Sequence, residues 1–163
     1  MQEVYERVFV ANELSCRRGD DEWAVVHACK SPCHQNAVGY KKSLLNSHPH
    51  YLVLIEGPDL FMNIVDPPIP LFMPASFTNF LEFSDKHWLA GHKLLIHCNK
   101  GESRAPSLAL LCLAKRRSVL NNDSYQSARA DFELLYPNYR PGQGIQMYFS
   151  QQWNEMSAIS PGS

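Results

Sequence analysis

Short apolar runs separated by polar turns occupy the first half of the chain. The runs over Arg7–Leu14 and Trp23–Ala28 are rich in β-branched residues, and both predict strands. The stretch Tyr51–Val65 contains two further runs on either side of the turn signal Glu56–Asp59, which predicts a hairpin. A fifth run, Lys93–His97, is short and apolar, as is typical of a buried strand.

Helical spacing of apolar residues dominates the second half. One predicted helix ends near Gly91 and has an aromatic-rich face: Phe77, Phe80, Leu81, Trp88 and Leu89. A second predicted helix opens at Pro106 and is apolar on nearly all sides, which indicates a buried helix with proline in its first turn.

Two more helices are predicted towards the end of the chain. One is capped by Asn122 or Asp123, with an apolar stripe at Tyr125, Ala128, Phe132 and Leu135. The other covers Ile145–Met156. Strands first, then helices interleaved with one buried strand, predict an α/β layered domain.

The size of the chain fits a single domain. The 163 residues are 45% hydrophobic, which is enough for one globular core. We expect one domain over residues 1–163 with a core over 7–156, and frayed ends over 1–6 and 157–163.

The most informative segment has the sequence LLIHCNKGESRAPSLALL, in which a buried strand, a short loop and a buried helix follow one another. In such a loop the backbone N–H groups at the start of the helix can converge on an anion. Cys98 lies where the strand ends, and Arg104 lies six residues later at the start of the helix. Inward-facing amides and a guanidinium stabilise a cysteine thiolate and bind phosphoryl oxygens. The expected phosphate-binding residues are Asn99, Lys100, Gly101, Glu102, Ser103 and Arg104.

The segment HCNKGESRAP resembles the signature loop of the cysteine-based dual-specificity and tyrosine phosphatases, which has the form H-C-x5-R. The resemblance implies a three-layer phosphatase-like fold with a central, mixed but mostly parallel sheet flanked by helices. It also implies that His97 fixes the loop, that Cys98 attacks phosphorus to form a phosphocysteine, and that Arg104 holds the phosphoryl oxygens.

The same family uses a general acid on a proline-rich loop about thirty residues before the nucleophile. Asp66 lies 98 − 66 = 32 residues before Cys98, after a predicted strand and before a predicted helix. A carboxylate there can protonate the leaving oxygen and later accept a proton from water. Two other aspartates compete for this role: Asp59 in the predicted hairpin turn, and Asp85, which is expected to be a solvated charge within a helix.

Weaker resemblance extends over FVANELS, AVVHACK and PGQGIQMYF, together with some departures. Gly142 and Ile145 replace the asparagine and phenylalanine that are usual before the last helix, where Gln143 is a candidate for positioning water. Ala105 replaces the hydroxyl residue that commonly follows the signature arginine, which predicts slower breakdown of the phosphoenzyme unless Ser103 substitutes. Glu102 is expected to point towards solvent.

A dense cluster of possible metal ligands, His27, Cys29, Cys33 and His34, matches no usual zinc-ligand spacing. No metal or cofactor is therefore expected. The family resemblance implies another role for Cys29, since some relatives hold a cysteine at this strand end that forms a reversible disulfide with the nucleophile.

Charge and the N-terminal sequence restrict the class of partner. Fifteen Lys+Arg residues against sixteen Asp+Glu residues give a net charge of −1, which does not favour nucleic acid or a membrane surface. No secretory signal is visible, so a cytoplasmic location is expected. The protein is expected to be a monomer that acts on a phosphorylated protein. Two alternatives stay open: a phosphatase for RNA 5′-phosphates, phosphoinositides or other phospholipids, and a non-catalytic module that binds phosphorylated residues.

Overall fold

The computed structural model describes residues 1–157, which form a mixed β-sheet with helices on both faces. The strands are β1 (Gln2–Tyr5), β2 (Val8–Ala11), β3 (Trp23–His27), β4 (Val53–Glu56), β5 (Asp59–Met62) and β6 (Lys93–His97). The helices are α1 (Gln35–Val38), α2 (Pro74–Leu89), α3 (Arg104–Lys115), α4 (Tyr125–Leu135) and α5 (Gln143–Ser157).

The described part of the sheet has six strands in the order β1-β2-β6-β3-β5-β4. The inner strands β2, β6, β3 and β5 are mutually parallel, and the antiparallel strands β1 and β4 form the two edges. The predicted mixed, mostly parallel sheet is confirmed. Because parallel strands end at the same edge, the loops that follow β2, β3, β5 and β6 lie at one end of the sheet.

Alternation along the central strands divides the core between the two faces of the sheet. Leu94 and Ile96 of β6 pack into the large cluster under α2 to α5, whereas Leu95 faces the other side with Val25 of β3. On that second face, a smaller cluster brings α1 against β5 through Ala37 and Phe61. Layers of helix on both faces of the sheet confirm the three-layer expectation.

The predicted helix after Cys98 is confirmed as α3. All ten residues from Ala105 to Ala114 are buried, as the all-round apolar pattern indicates. The cap of α4 differs from the prediction, because Ser124 rather than Asn122 or Asp123 accepts a hydrogen bond from the amide of Ser127.

The expectation of a frayed N-terminus is wrong. Residues 2–5 form β1, which pairs with β2, and the side chain of Val4 is buried. The other predicted frayed segment lies outside the described residues, except for Ser157, which belongs to α5. No helix within residues 1–157 is both long and apolar enough to cross a lipid bilayer.

Candidate active site

The loop between β6 and α3 curls around the sulfur of Cys98. The amide of Gly101 donates to Cys98 Sγ at 3.2 Å, and Cys98 is only 2% exposed. Gly101 has a φ of +74°, and a Cβ there would lie 3.1 Å from the backbone of Ala11. Both the left-handed conformation and the close approach to β2 require glycine at this position.

Arg104 is the first residue of α3, and its guanidinium turns back over the loop. It donates to Asn99 Oδ1 at 2.7 Å and to the carbonyl oxygen of Ile64 at 3.1 Å. These two bonds fix the plane of the guanidinium at the edge of a cavity of about 270 Å³. The cavity is lined by Asp66, Cys98, Asn99, Lys100, Glu102, Ser103, Arg104 and Arg140.

Asp66 reaches this cavity from the loop between β5 and α2. The loop lies directly on the start of α5, where the amide of Gly144 donates to the carbonyl oxygen of Pro67 at 3.1 Å. A Cβ on Gly142 would overlap the Asp66 carboxylate, and a Cβ on Gly144 would overlap the Pro67 carbonyl. The absence of side chains at these two positions lets the loop bring Asp66 to the cavity that also contains Cys98.

Ser103 and Glu102 occupy different positions in the loop. Ser103 is buried, and its Oγ accepts a hydrogen bond from the amide of Gly142 at 2.8 Å. Glu102 is exposed at the edge of the cavity, as expected, and its carbonyl oxygen accepts from the amide of Arg140. Gln143 is exposed and is not among the residues that line the cavity, so the structure does not bring it to the proposed water site.

A chain of three buried polar side chains, His97, His27 and Asp59, leads away from the loop that follows β6. His97 Nε2 lies 2.8 Å from His27 Nδ1, and His27 Nε2 lies 2.8 Å from Asp59 Oδ1. Because a carboxylate only accepts, His27 donates from Nε2 and accepts at Nδ1 from His97.

Burial lowers the pKa of both imidazoles in this chain. The pKa of His27 is below its usual value in spite of Asp59, and burial together with His27 lowers the pKa of His97 to about 4. Both rings are therefore neutral near pH 7. His97 thus holds its position beside the loop between β6 and α3 by hydrogen bonding rather than by charge.

The two aspartates that compete with Asp66 have other partners. Asp59 is buried at the start of β5 and accepts from the amide of Gly19 as well as from His27. Asp85 is not a solvated charge, because it forms ion pairs with Arg116 and Arg117. Neither of them lines the cavity that contains Cys98.

Of the four residues grouped by sequence as a possible zinc cluster, His27 and Cys33 keep their donor atoms within 4.8 Å of each other, whereas His34 and Cys29 have other partners. His34 bonds to the Tyr40 hydroxyl and to the carbonyl oxygen of His50. Cys29 lies beside the phosphate loop, with its sulfur 2.8 Å from the Ser31 carbonyl oxygen and 3.6 Å from Asn99 Oδ1. Its disulfide with Cys98 stays a prediction.

The sequence indicated His27 only as a possible zinc ligand and Asp59 only as a possible general acid, and it gave no role to Arg140. His27 and Asp59 meet because β3 and β5 are neighbours, and the strand order is not visible in the local sequence. Arg140 lies in the segment NYRPGQG, whose likeness to the family segment before the last helix could have drawn attention to it.

No protein-family model and no curated protein sequence matches this chain. The fold nevertheless matches solved structures over nearly its whole length. The crystal structure of DUSP15 has a TM-score of 0.68 at 14% identity, covering 97% of this chain and 90% of that one. The human tyrosine phosphatase-like serine/threonine/tyrosine-interacting protein has a TM-score of 0.64 at 20% identity, covering 98% and 96%. Human DUSP28 has a TM-score of 0.65 at 15% identity, covering 96% and 98%.

At identities of 14 to 20%, these likenesses establish architecture. They agree with the mixed sheet and with helices on both faces of it. The chain therefore has the fold of the dual-specificity phosphatases.

Proposed function

We propose that this protein hydrolyses phosphomonoesters through a phosphocysteine at Cys98. The observation that carries the proposal is the cavity in which Cys98, Arg104 and Asp66 meet, with Gly101 N–H donating to the sulfur. A nucleophile, an anion-binding guanidinium and a proton donor are the three groups that phosphoryl transfer without a metal needs.

In the first step the Cys98 sulfur bonds to phosphorus while the bond from phosphorus to the ester oxygen breaks. Asp66 gives its proton to the departing oxygen, and Arg104 with the loop amides holds the equatorial oxygens. In the second step water attacks phosphorus, the Asp66 carboxylate accepts a proton from that water, and the phosphorus–sulfur bond breaks. Inorganic phosphate leaves, and the thiolate and the protonated carboxyl are restored.

The proposed substrate class is phosphoprotein, with phosphotyrosine and phosphoserine/threonine both admitted. The fold of the dual-specificity phosphatases and the exposed Lys100 and Arg140 at the cavity edge support this assignment. The phosphatase fold by itself fits a phospholipid or an RNA 5′-phosphate as well, so the substrate panel below includes both.

The first test measures hydrolysis of p-nitrophenyl phosphate by the parent protein, Cys98→Ser and Asp66→Asn. We expect Cys98→Ser to abolish turnover and Asp66→Asn to lower kcat by about 10² to 10⁴-fold, the usual contribution of a general acid. Glu82→Gln, an exposed carboxylate on α2, is the matched control and should retain the parent rate.

Turnover that survives Cys98→Ser would overturn the mechanism. A parent protein that binds phosphopeptides without turnover would instead be a binding module. Substrate class is then read from Cys98→Ser used as a trap against phosphopeptides, phosphoinositides and 5′-phosphorylated RNA. Retention of phosphopeptides alone supports the phosphoprotein assignment, and retention of either other class alone overturns it.

A further inference from the structure

Four side chains outside the catalytic cavity converge on one point beneath the end of the sheet. They are Cys16, His27, Cys33 and His97, and their donor atoms all lie within 4.8 Å of one another. Three of the four residues are buried, and only Cys16 is exposed. Two thiols and two imidazoles at this spacing form the ligand set of a tetrahedral Cys₂His₂ zinc site.

The sheet and two turns bring these ligands together. His27 and His97 are direct neighbours in the parallel ladder between β3 and β6, so both rings project from the same face. Cys16 immediately follows the 3₁₀ turn Glu13–Ser15, and Cys33 lies in the turn Lys30–His34. The ligands are thus widely separated in sequence, which explains why no ligand spacing reveals them.

A tetrahedral site has six edges between ligand atoms, and all six lie within 4.8 Å in the structure. Two edges match zinc coordination closely, and the edge between the two histidines must open. Zn–S bonds of about 2.3 Å and Zn–N bonds of about 2.05 Å imply tetrahedral edges of about 3.8 Å for S–S, 3.6 Å for S–N and 3.4 Å for N–N. The observed separations are 3.9 Å for Cys16 Sγ to Cys33 Sγ and 3.7 Å for Cys16 Sγ to His27 Nδ1. The His27 Nδ1 to His97 Nε2 contact is 2.8 Å and must open by about 0.6 Å.

The two histidines can each present a lone pair to a metal. Asp59 accepts from His27 Nε2 at 2.8 Å, the carboxylate–histidine pairing that orients many zinc ligands, and this leaves Nδ1 of His27 unprotonated. His97 must move its proton from Nε2 to Nδ1. That Nδ1 is buried and has no hydrogen-bond partner among the described residues, so it is free to take the proton.

The charge and the access at this point also suit a zinc ion. The two negative charges of the thiolates balance the charge of a divalent cation, the two imidazoles are neutral, and the two thiol protons are released to solvent on binding. Cys16, His27 and Cys33 line a cavity of about 330 Å³, which gives an ion access to these three ligands. Arg17 and Arg18 also line it, but Arg17 is paired with Asp20, and Arg18 with Glu56 and Asp59.

We propose that Cys16, His27, Cys33 and His97 bind one zinc ion. The site has a structural consequence for the phosphate loop, since both turns that supply the thiols also hold Asn99. Glu13 donates from its amide to the carbonyl oxygen of Asn99, and the Ser31 carbonyl oxygen accepts from Asn99 Nδ2. Zinc would tie these two turns to β3 and β6, and so stabilise the loop that carries Cys98.

The test uses Cys98→Ser as the parent, because this removes the exchangeable thiolate of the catalytic cavity as a second metal ligand. Reduced, metal-free protein is titrated with Zn²⁺ against a chromophoric chelator, and with Co²⁺ as a spectroscopic probe. We expect one metal per chain, thiolate-to-cobalt charge-transfer bands, the intense visible bands of tetrahedral Co²⁺ and a higher Tm with zinc.

Adding Cys16→Ser to this parent should weaken zinc binding at least tenfold and remove part of the thiolate absorption. Cys16 is exposed, so this variant should fold, and an unchanged far-UV spectrum checks that it does. Cys112→Ala is the matched control, a buried cysteine of α3 whose sulfur lies 3.8 Å from Ser84 Oγ, and it should keep full affinity.

Three results would overturn the site. They are equal zinc affinity in Cys16→Ser and the parent, octahedral cobalt bands without thiolate absorption, and a Cys16–Cys33 disulfide that persists in reductant and leaves no thiol to bind metal. None of them bears on the proposed hydrolysis, which the Cys98 and Asp66 variants test separately.

Discussion

At Gly142 the absence of a side chain determines the position of the general-acid candidate. The Asp66 carboxylate occupies the space that a Cβ at residue 142 would take, and Gly144 accommodates the Pro67 carbonyl in the same way. The sequence showed Gly142 as a departure from the family pattern. The structure gives the reason, which is that the Asp66 loop packs directly on the backbone at the start of α5.

Gly142→Ala should therefore displace Asp66 without touching the nucleophile. We expect kcat to fall at least about tenfold for phenyl phosphate and less for p-nitrophenyl phosphate, because a poorer leaving group depends more on protonation. Steady-state kinetics on the two substrates measures the difference, and Gln151→Ala on the exposed face of α5 is the control. An equal loss on both substrates would mean that the glycine has only a structural role.

At the scale of single residues, the sequence named candidates whose positions in one cavity the structure shows. Cys98, Arg104 and the loop residues between them are contiguous, and Gly101 could be recognised because its conformation follows from the sharp turn. Asp66 was found from its spacing and from the family resemblance. The contact between His27 and Asp59 was not predicted, because it depends on strand order.

At the scale of the elements, two ion pairs link the residues that follow α3 to helix α2. Asp85 of α2 lies 2.9 Å from Arg116 Nε and 3.3 Å from Arg117 Nη1, and all three side chains are only 11 to 14% exposed. The basic triplet Lys115–Arg117 lies at the C-terminal end of α3, where cations interact favourably with the helix dipole. The structure gives two of its members a carboxylate partner on the neighbouring helix.

Asp85→Asn should destabilise the protein and leave its chemistry intact. We expect the free energy of unfolding to fall by about 2 kcal/mol, less than the ~3–5 kcal/mol for breaking a fully buried pair, because these groups retain some solvent. Urea denaturation measures this, with Glu82→Gln as the exposed control on the same helix. A large loss of kcat in the folded variant would instead return Asp85 to the list of general-acid candidates.

The edge strand β1 shows the limit of element prediction at a terminus. Residues 2–5 carry little periodic signal, with only Val4 buried, and they become ordered because β2 offers an unpaired edge. The internal strands and the helices after β5 were predicted correctly in type, because each has a clear apolar period or a clear turn signal, while their ends moved by a few residues. The short helix α1 was not predicted.

Across the whole molecule, buried neutral histidines link stability to pH. Burial lowers the pKa of His27, His34, His87 and His97, with His92 and Lys86 adding to the effect at His87. His87 Nε2 is buried without a hydrogen-bond partner among the described residues, so protonation there would leave a cation without compensation.

The pKa of each of these histidines is lower in the folded protein than in the unfolded chain, where it is about 6.5. Their contribution to the free energy of unfolding is therefore fully present above pH 6.5, and it is lost as the pH falls through the lower pKa values of the folded protein. The loss is at most about 1.4 kcal/mol per pH unit for each group. We expect His87→Gln to reduce the difference in unfolding free energy between pH 7 and pH 5, measured by urea denaturation of metal-free protein. His50→Gln, an exposed control, should leave it unchanged. An identical pH dependence in both variants would contradict the assignment to His87.

The sequence by itself determined the class of the fold and indicated a candidate phosphate loop with a candidate aspartate before it, because apolar period, turn chemistry and loop spacing are properties of contiguous residues. The tertiary structure alone decided which distant groups meet: Asp66 over Gly142, Arg140 at the cavity edge, Asp59 behind His27, and the four possible zinc ligands. These pairs depend on strand order and on the packing of loops against helix ends. Such contacts depend on the free energy of the whole fold, and a short stretch of sequence is not enough to predict them.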